Sequence, residues 1–179
     1  MSLPSVTSLK NDILALSPTT NQVQGVTDFV NVVANFTNQV QAGSGGTPGI
    51  LIFGNTAMIS ILLTQVPVSD NSWISTFVNA WQAGITTSVI TPSTVTNAAW
   101  TGSGNKDTNT SPSAATTIPT IAAAAAVLTA QLANVVPDST APLALAQALS
   151  DATLALSFIC IGLGPGPSFT PIPITFPAQ

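Results

Sequence analysis

Residues 120–163 read TIAAAAAVLTAQLANVVPDSTAPLALAQALSDATLALSFICIGL. Ile121, Leu128, Leu132 and Val135 form a narrow apolar stripe among alanines. Alanine loses almost no side-chain entropy in a helix and lets a neighbouring helix approach closely. Pro137-Asp138-Ser139-Thr140 interrupts the pattern. Ser139 or Thr140 can cap a second helix, with Pro142 in its first turn. Leu145, Leu149, Ala152, Leu156, Ile159 and Leu163 then follow a near-heptad path, which Leu143 and Leu154 widen. Gly162 and Gly164 close it. The stretch predicts two long helices forming the core hairpin of a mainly α fold, a helical bundle of about five to six helices.

Upstream, four more helices are expected. Val6, Leu9, Ile13 and Leu16 recur at helical spacing over 4–17, with Pro4 suited to the first turn and Pro18 ending the helix. Over 20–41, Val23, Val26, Phe29, Val30, Val33, Phe36 and Val40 make one apolar face. Gln24, Asn31, Asn35, Asn38 and Gln39 lie mostly elsewhere. Amide side chains can bond to a neighbouring subunit without the cost of desolvating a charge, so Asn31, Asn35 and Asn38 are candidate subunit contacts. Gly43-Ser44-Gly45-Gly46 is a break. Thr47-Pro48 then opens a third helix over 47–66, although Gly54 weakens that reading and 49–53 also fits a strand. Ser69 or Asp70 caps a fourth over 70–84, where Trp73, Phe77 and Trp81 read as a core stripe and Gly84 as the closing residue.

Residues 86–119 form a loop insertion in the helical domain, 1–164. ITTSVITPSTVT, at 85–96, fits a short hairpin or an extended loop. Trp100 and TGSGNKDTNTSPSAATTIP follow, without hydrophobic period. Loops this long in compact domains are usually functional or disordered; on the functional reading Trp100 and Asn105 are candidate contacts. Residues 165–179, PGPSFTPIPITFPAQ, form a proline-stiffened arm that favours polyproline II or an edge strand. Phe169, Ile172, Ile174 and Phe176 are its apolar handles, suited to lying across a neighbour.

Charged side chains make up 4% of the chain: Lys10 and Lys106 against Asp12, Asp28, Asp70, Asp107, Asp138 and Asp151. An ordinary soluble domain has roughly 25%. Hydration and mutual repulsion of charges normally keep surfaces apart. A chain this neutral therefore belongs either in a membrane or among other subunits. Asp151, Gln147, Ser150, Thr153 and Ser157 in the most apolar segment, with no Lys or Arg flanking it, weigh against the membrane. Net charge −4 with two lysines weighs against nucleic acid, which is bound by displacing counterions with Lys and Arg. No basic n-region precedes an apolar run at the N-terminus, so no secretory signal is read there.

Histidine and arginine are absent and Cys160 is the single cysteine. That removes Ser-His-Asp and Cys-His nucleophile systems, histidine zinc sites and thiolate clusters. Cys160, inside Phe158-Ile159-Cys160-Ile161, reads as a small buried hydrophobe. Ser103-Gly104-Asn105-Lys106 matches S-x-x-K in isolation, without the other elements that pattern requires. The six aspartates stand in no recognisable acid/base motif. No enzyme activity, cofactor or metal is expected.

No motif of a specific family is present. In style of composition the chain resembles structural proteins of phages and archaeal viruses: small, rich in Ala, Thr and Asn, poor in charge, with Gly/Ser/Thr loops and a Pro-rich terminal arm. That resemblance implies a virion component (minor capsid, decoration or head–tail protein) made in a host cytoplasm. Its partners would be copies of itself and other proteins of the same assembly. A subunit of a non-viral extracellular filament or surface layer is the alternative reading, and a membrane-embedded helical protein the next.

Overall fold

A computed structural model describes residues 5–42, 49–65, 72–91, 94–96, 113–116, 121–162 and 173–177. The fold is mainly helical, with six helices among the described residues. They are α1 (Val6–Leu14), α2 (Gln22–Thr37), α3 (Asn55–Thr64), α4 (Ser72–Thr86), α5 (Ala122–Leu132) and α6 (Ala141–Leu154). Each packs on the next in chain order, and α6 returns to pack on α1, so the helices form a closed ring of neighbours.

Local chemistry explains most of the boundaries. The Ser5 hydroxyl accepts from the Ser8 amide at 3.1 Å and caps α1. Asn21 does the same for α2, accepting from the Gln24 amide at 3.2 Å. These side chains satisfy donors that the first turn of a helix leaves unpaired. The apolar faces turn inward broadly as the spacing predicts. Leu9, Val30, Val33, Phe36, Val40, Met58, Phe77, Trp81, Leu128, Leu132, Leu149, Ala152 and Leu156 are buried in one core. Phe29 and Phe77 tie α2 to α4 through tilted rings whose centroids are 6.0 Å apart. Val23, Leu143 and Leu154, expected on apolar faces, are instead exposed.

The largest departure from expectation lies at the end of the opening stretch. The second helix was expected to reach Leu163 but stops at Leu154, and Ser157–Gly162 is a strand. Phe158-Ile159-Cys160-Ile161 is rich in aromatic and β-branched residues that fit a pleated sheet. A continuous apolar run suits a central strand as well as a buried helix.

The strands form two sheets. The first has the order β1 (Gln41–Ala42), β2 (Gly49–Ile52), β3 (Val89–Thr91), antiparallel throughout. The second has the order β4 (Thr94–Thr96), β5 (Ser113–Thr116), β6 (Ser157–Gly162), β7 (Pro173–Pro177), also antiparallel. The expected third helix from Thr47 is thus a strand followed by a helix that begins only at Asn55. Leu51 and Phe53 are buried while Ile50 and Ile52 are exposed, a period of two that overrides helix. The segment near 85–100 is not a hairpin, because β3 and β4 belong to different sheets. The expected loop 86–119 contributes three strands, and the arm contributes β7, an edge strand. Residues 43–48 and most of 97–119 lie outside the described residues.

One junction locks the first sheet to the helices. The Gly54 amide donates to the Gly84 carbonyl at 2.9 Å, placing the start of α3 beside the end of α4. Gly84 does not close α4, which continues to Thr86. It makes room for a ring: a Cβ there would stand 2.0 Å from Phe53 Cζ and 2.5 Å from Cε1. Gly84→Ala is therefore expected to destabilise the fold by about 1–3 kcal/mol, the usual cost of overpacking. Phe53→Leu in the same chain should recover part of that loss, because the smaller side chain vacates the contact. Urea unfolding of the two variants and the double variant measures both effects.

Candidate subunit-contact surfaces

Of the three amides proposed on α2, only Asn35 is exposed with no hydrogen bond among the described residues. Asn31 is exposed, and its Oδ1 accepts from Asn55 Nδ2 at 3.0 Å, joining α2 to the first turn of α3. Asn38 is half-buried at the end of α2, and its Oδ1 accepts from the Phe53 amide at 2.7 Å. The Val40 carbonyl accepts from the Leu51 amide at 3.2 Å just beyond. Asn38 thus seats β2 against the end of α2, an internal task that helical periodicity could not reveal. Trp100, Asn105, Phe169 and Ile172 lie outside the described residues. Ile174 and Phe176 sit in β7, opposite Cys160 and Phe158 of β6.

Sequence reasoning missed an exposed apolar face on the first sheet. Ile50 and Ile52 alternate with buried Leu51, and Val89 is the cross-strand partner of Ile52. Ile50, Ile52 and Val89 are 42%, 47% and 59% exposed. Alternation over 49–53 was the available signal, because in a strand such residues must point to opposite faces.

A second apolar surface lies where the α5–α6 turn meets α1 and α4. Ile13, Trp73, Val135, Pro137, Pro142 and Leu145 line an open groove of about 670 Å³. Their chain neighbours Leu14, Val136 and Leu143 are exposed. Asp138 shapes the turn beside this groove. Its Oδ1 accepts from the Thr140 hydroxyl at 2.5 Å and from the Thr140 amide at 2.7 Å. These bonds, the hydroxyl's foremost, hold the exposed Asp138 carboxyl below its ordinary pKa. Thr140 is the N-cap of α6 by position, but its hydroxyl serves Asp138 instead of capping the helix.

Asp151, the one acid on α6, accepts from Gln131 Nε2 at 2.5 Å and from Gln147 Nε2 at 2.8 Å. It ties α5 to α6 through amides, with no cation. Thr37, at the end of α2, is buried, and its hydroxyl donates to the Val33 carbonyl at 2.8 Å. Among the described residues no three His, Cys, Asp or Glu gather as a metal site. No helix among them is long and apolar enough to cross a membrane. Comparison with family models, curated proteins and solved structures returned no match.

Two substitutions separate internal from external amides. Asn38→Ala leaves the Phe53 amide without its acceptor and should cost about 1–3 kcal/mol in urea unfolding. Asn35→Ala should stay within about 0.5 kcal/mol of the parent, as exposed substitutions do.

Asp138 gives a pH test. A carboxyl whose pKa is lowered by folding stabilises the native state above its unfolded pKa and loses that contribution as pH falls through the lowered value. Asp138→Ala should therefore melt below the parent at pH 7, and the gap between the two melting temperatures should narrow as pH falls below the ordinary carboxylate range.

Proposed function

We propose that this chain is a virion structural subunit (a minor capsid, decoration or head–tail component) that works through subunit contacts. The observation that supports this most directly is the distribution of charge and apolar exposure. The described charged residues are Lys10, Asp12, Asp28, Asp138 and Asp151. Among the described residues from Phe29 to Pro137 there is none, and that part of the molecule exposes Ile50, Ile52 and Val89 together. An uncharged surface with contiguous apolar side chains gains by being covered and has little repulsion to oppose it. Because the same face occurs on every copy, a two-fold contact between copies brings neutral surface against neutral surface, with no charge to desolvate.

The chemistry available supports contact over catalysis. The amides and hydroxyls that dominate the polar surface bond to neighbours in either direction and need no counter-ion. An extracellular filament or surface-layer subunit would share these properties. Electron microscopy distinguishes the two, since a head or tail component adds to a closed particle whereas a filament subunit propagates alone.

Size-exclusion chromatography with light scattering, in dilute buffer without detergent, tests the reading. Oligomers are expected, and a stable monomer overturns it. In the double variant Ile52→Lys with Val89→Lys, like charges face each other across any two-fold contact through this face. The oligomer should then dissociate at protein concentrations at least about tenfold higher than the parent's, equivalent to about 1.4 kcal/mol. The melting of the monomer should be little changed, because both sites are exposed. An oligomer insensitive to the double variant places the contacts elsewhere.

A further inference from the structure

The second sheet carries the last strand among the described residues in a replaceable position. β6 is an interior strand, paired on one side with β5 and on the other with β7. β7 is the outer strand, held through the pairs Ser157–Pro177, Phe158–Phe176, Ile159–Thr175, Cys160–Ile174 and Ile161–Pro173. Pro173 and Pro177 offer no amide hydrogen, and proline in a sheet is tolerated at an edge. Among the described residues β7 ends the sheet, and its two prolines leave fewer amides for a further strand.

The connection is unusual for neighbouring antiparallel strands. Ten residues, LGPGPSFTPI at 163–172, join β6 to β7. Such strands are commonly joined by about 2–5 residues. Pro165, Pro167 and Pro171 fall within the ten. Ten residues of any chain reach at most about 33–36 Å when fully extended. That is on the order of the diameter of a small domain.

The β6–β7 ladder has the same hydrogen bonds whether β7 comes from its own chain or from another. What favours the strand's own chain is its effective concentration, on the order of millimolar for a short tether. Within an assembly, neighbouring copies present their β6 edges at similar local concentration, and that preference disappears. Resting on the assembly reading above, we propose that β7 is exchanged between subunits. Each copy's 173–177 strand adds to β6 of a neighbour in the register seen within the chain. The partner is thus a second copy, and the contact is a one-to-one strand exchange of the kind that converts an internal interface into an intersubunit one.

The register supplies a test. Cys160, the single cysteine, is the Cα partner of Ile174. Directly opposed residues of an antiparallel pair lie about 4.5–5.5 Å apart at Cα, within the span a disulfide bridges. Full-length Ile174→Cys is assembled, oxidised and run on a denaturing gel without reductant, with light scattering of the same sample before denaturation. The expected result is covalent dimers or longer ladders holding most of the chains. They should be lost on reduction and absent when Cys160→Ser is added. Oligomers whose bonds are all within chains overturn the exchange and leave the assembly reading standing. A monomer in solution overturns both. Oligomers that form no disulfide contradict the 160–174 register and overturn the exchange. A second variant replaces residues 163–171 with Asn-Gly, so that Gly162 and Ile172 flank a two-residue turn and β7 must return to its own β6. It should keep the helical circular dichroism of the parent and lose the ladder. An undiminished ladder, in the Ile174→Cys background, overturns the proposal.

Discussion

The contact of the Phe53 ring with the bare backbone of Gly84 is the constraint from which the rest of the architecture follows. It requires a glycine inside a helix, where glycine costs roughly 1 kcal/mol relative to alanine. In return α4 and the end of β2 come close enough for the Gly54 amide to reach the Gly84 carbonyl. Asn38 fixes the other side of the same segment by accepting from the Phe53 amide. One short piece of chain, 51–54, thereby orients α2, α3, α4 and the first sheet. The exposed row of Ile50, Ile52 and Val89 is the outer side of the same pleat that buries Leu51.

How much of this was legible in the sequence depends on the kind of signal. The mainly helical class was, because Val30, Val33 and Phe36, or Phe77 and Trp81, lie at spacings that only a helix brings to one face. Trp81 reads as core and is fully buried. The Pro-rich arm was readable only as polyproline II or an edge strand, because proline restricts what its neighbours can do, and 173–177 takes the second form. The end of α6 was not readable. Leu156, Phe158, Ile159 and Ile161 are apolar in either periodicity, and the pairing with β5 and β7 that decides the matter comes from residues far along the chain. β2 and β3 were legible only as alternatives, a strand over 49–53 and a hairpin or loop over 85–96, because the partners that decide between the readings are distant.

The contact surfaces were less legible than the fold. An amide on a polar helix face looks the same in sequence whether it serves solvent, a subunit or its own chain. Asn38 serves its own chain because the turn after α2 brings the Phe53 amide to it, and Asn31 meets Asn55 because α2 packs on α3. Ile50 and Ile52 were read first as part of a helix, and their common outward face follows only from the strand alternative for 49–53. The low charge of the chain was visible at once and carries through unchanged. Asp151 is satisfied by two glutamines and Asp138 by a threonine, so even the few acids among these are answered by neutral donors.

The packing of α1 on α6 also has a consequence in time. Helix neighbours elsewhere in the ring are adjacent in sequence and can meet as soon as both have been made. α1 must wait for a partner more than a hundred residues downstream. At the usual pace of synthesis, about 5–20 residues per second, that is on the order of ten seconds. During that interval α1, whose Leu9 is buried in the finished fold, packs on α2 but lacks α6. The ring closes with its most sequence-distant contact, and such contacts are the slow ones because loop entropy must be spent before they form. For a chain with so little charge to keep nascent copies apart, those seconds are when unwanted association is easiest. A short, singly buried first helix with Lys10 and Asp12 on it leaves little apolar surface uncovered until α6 arrives.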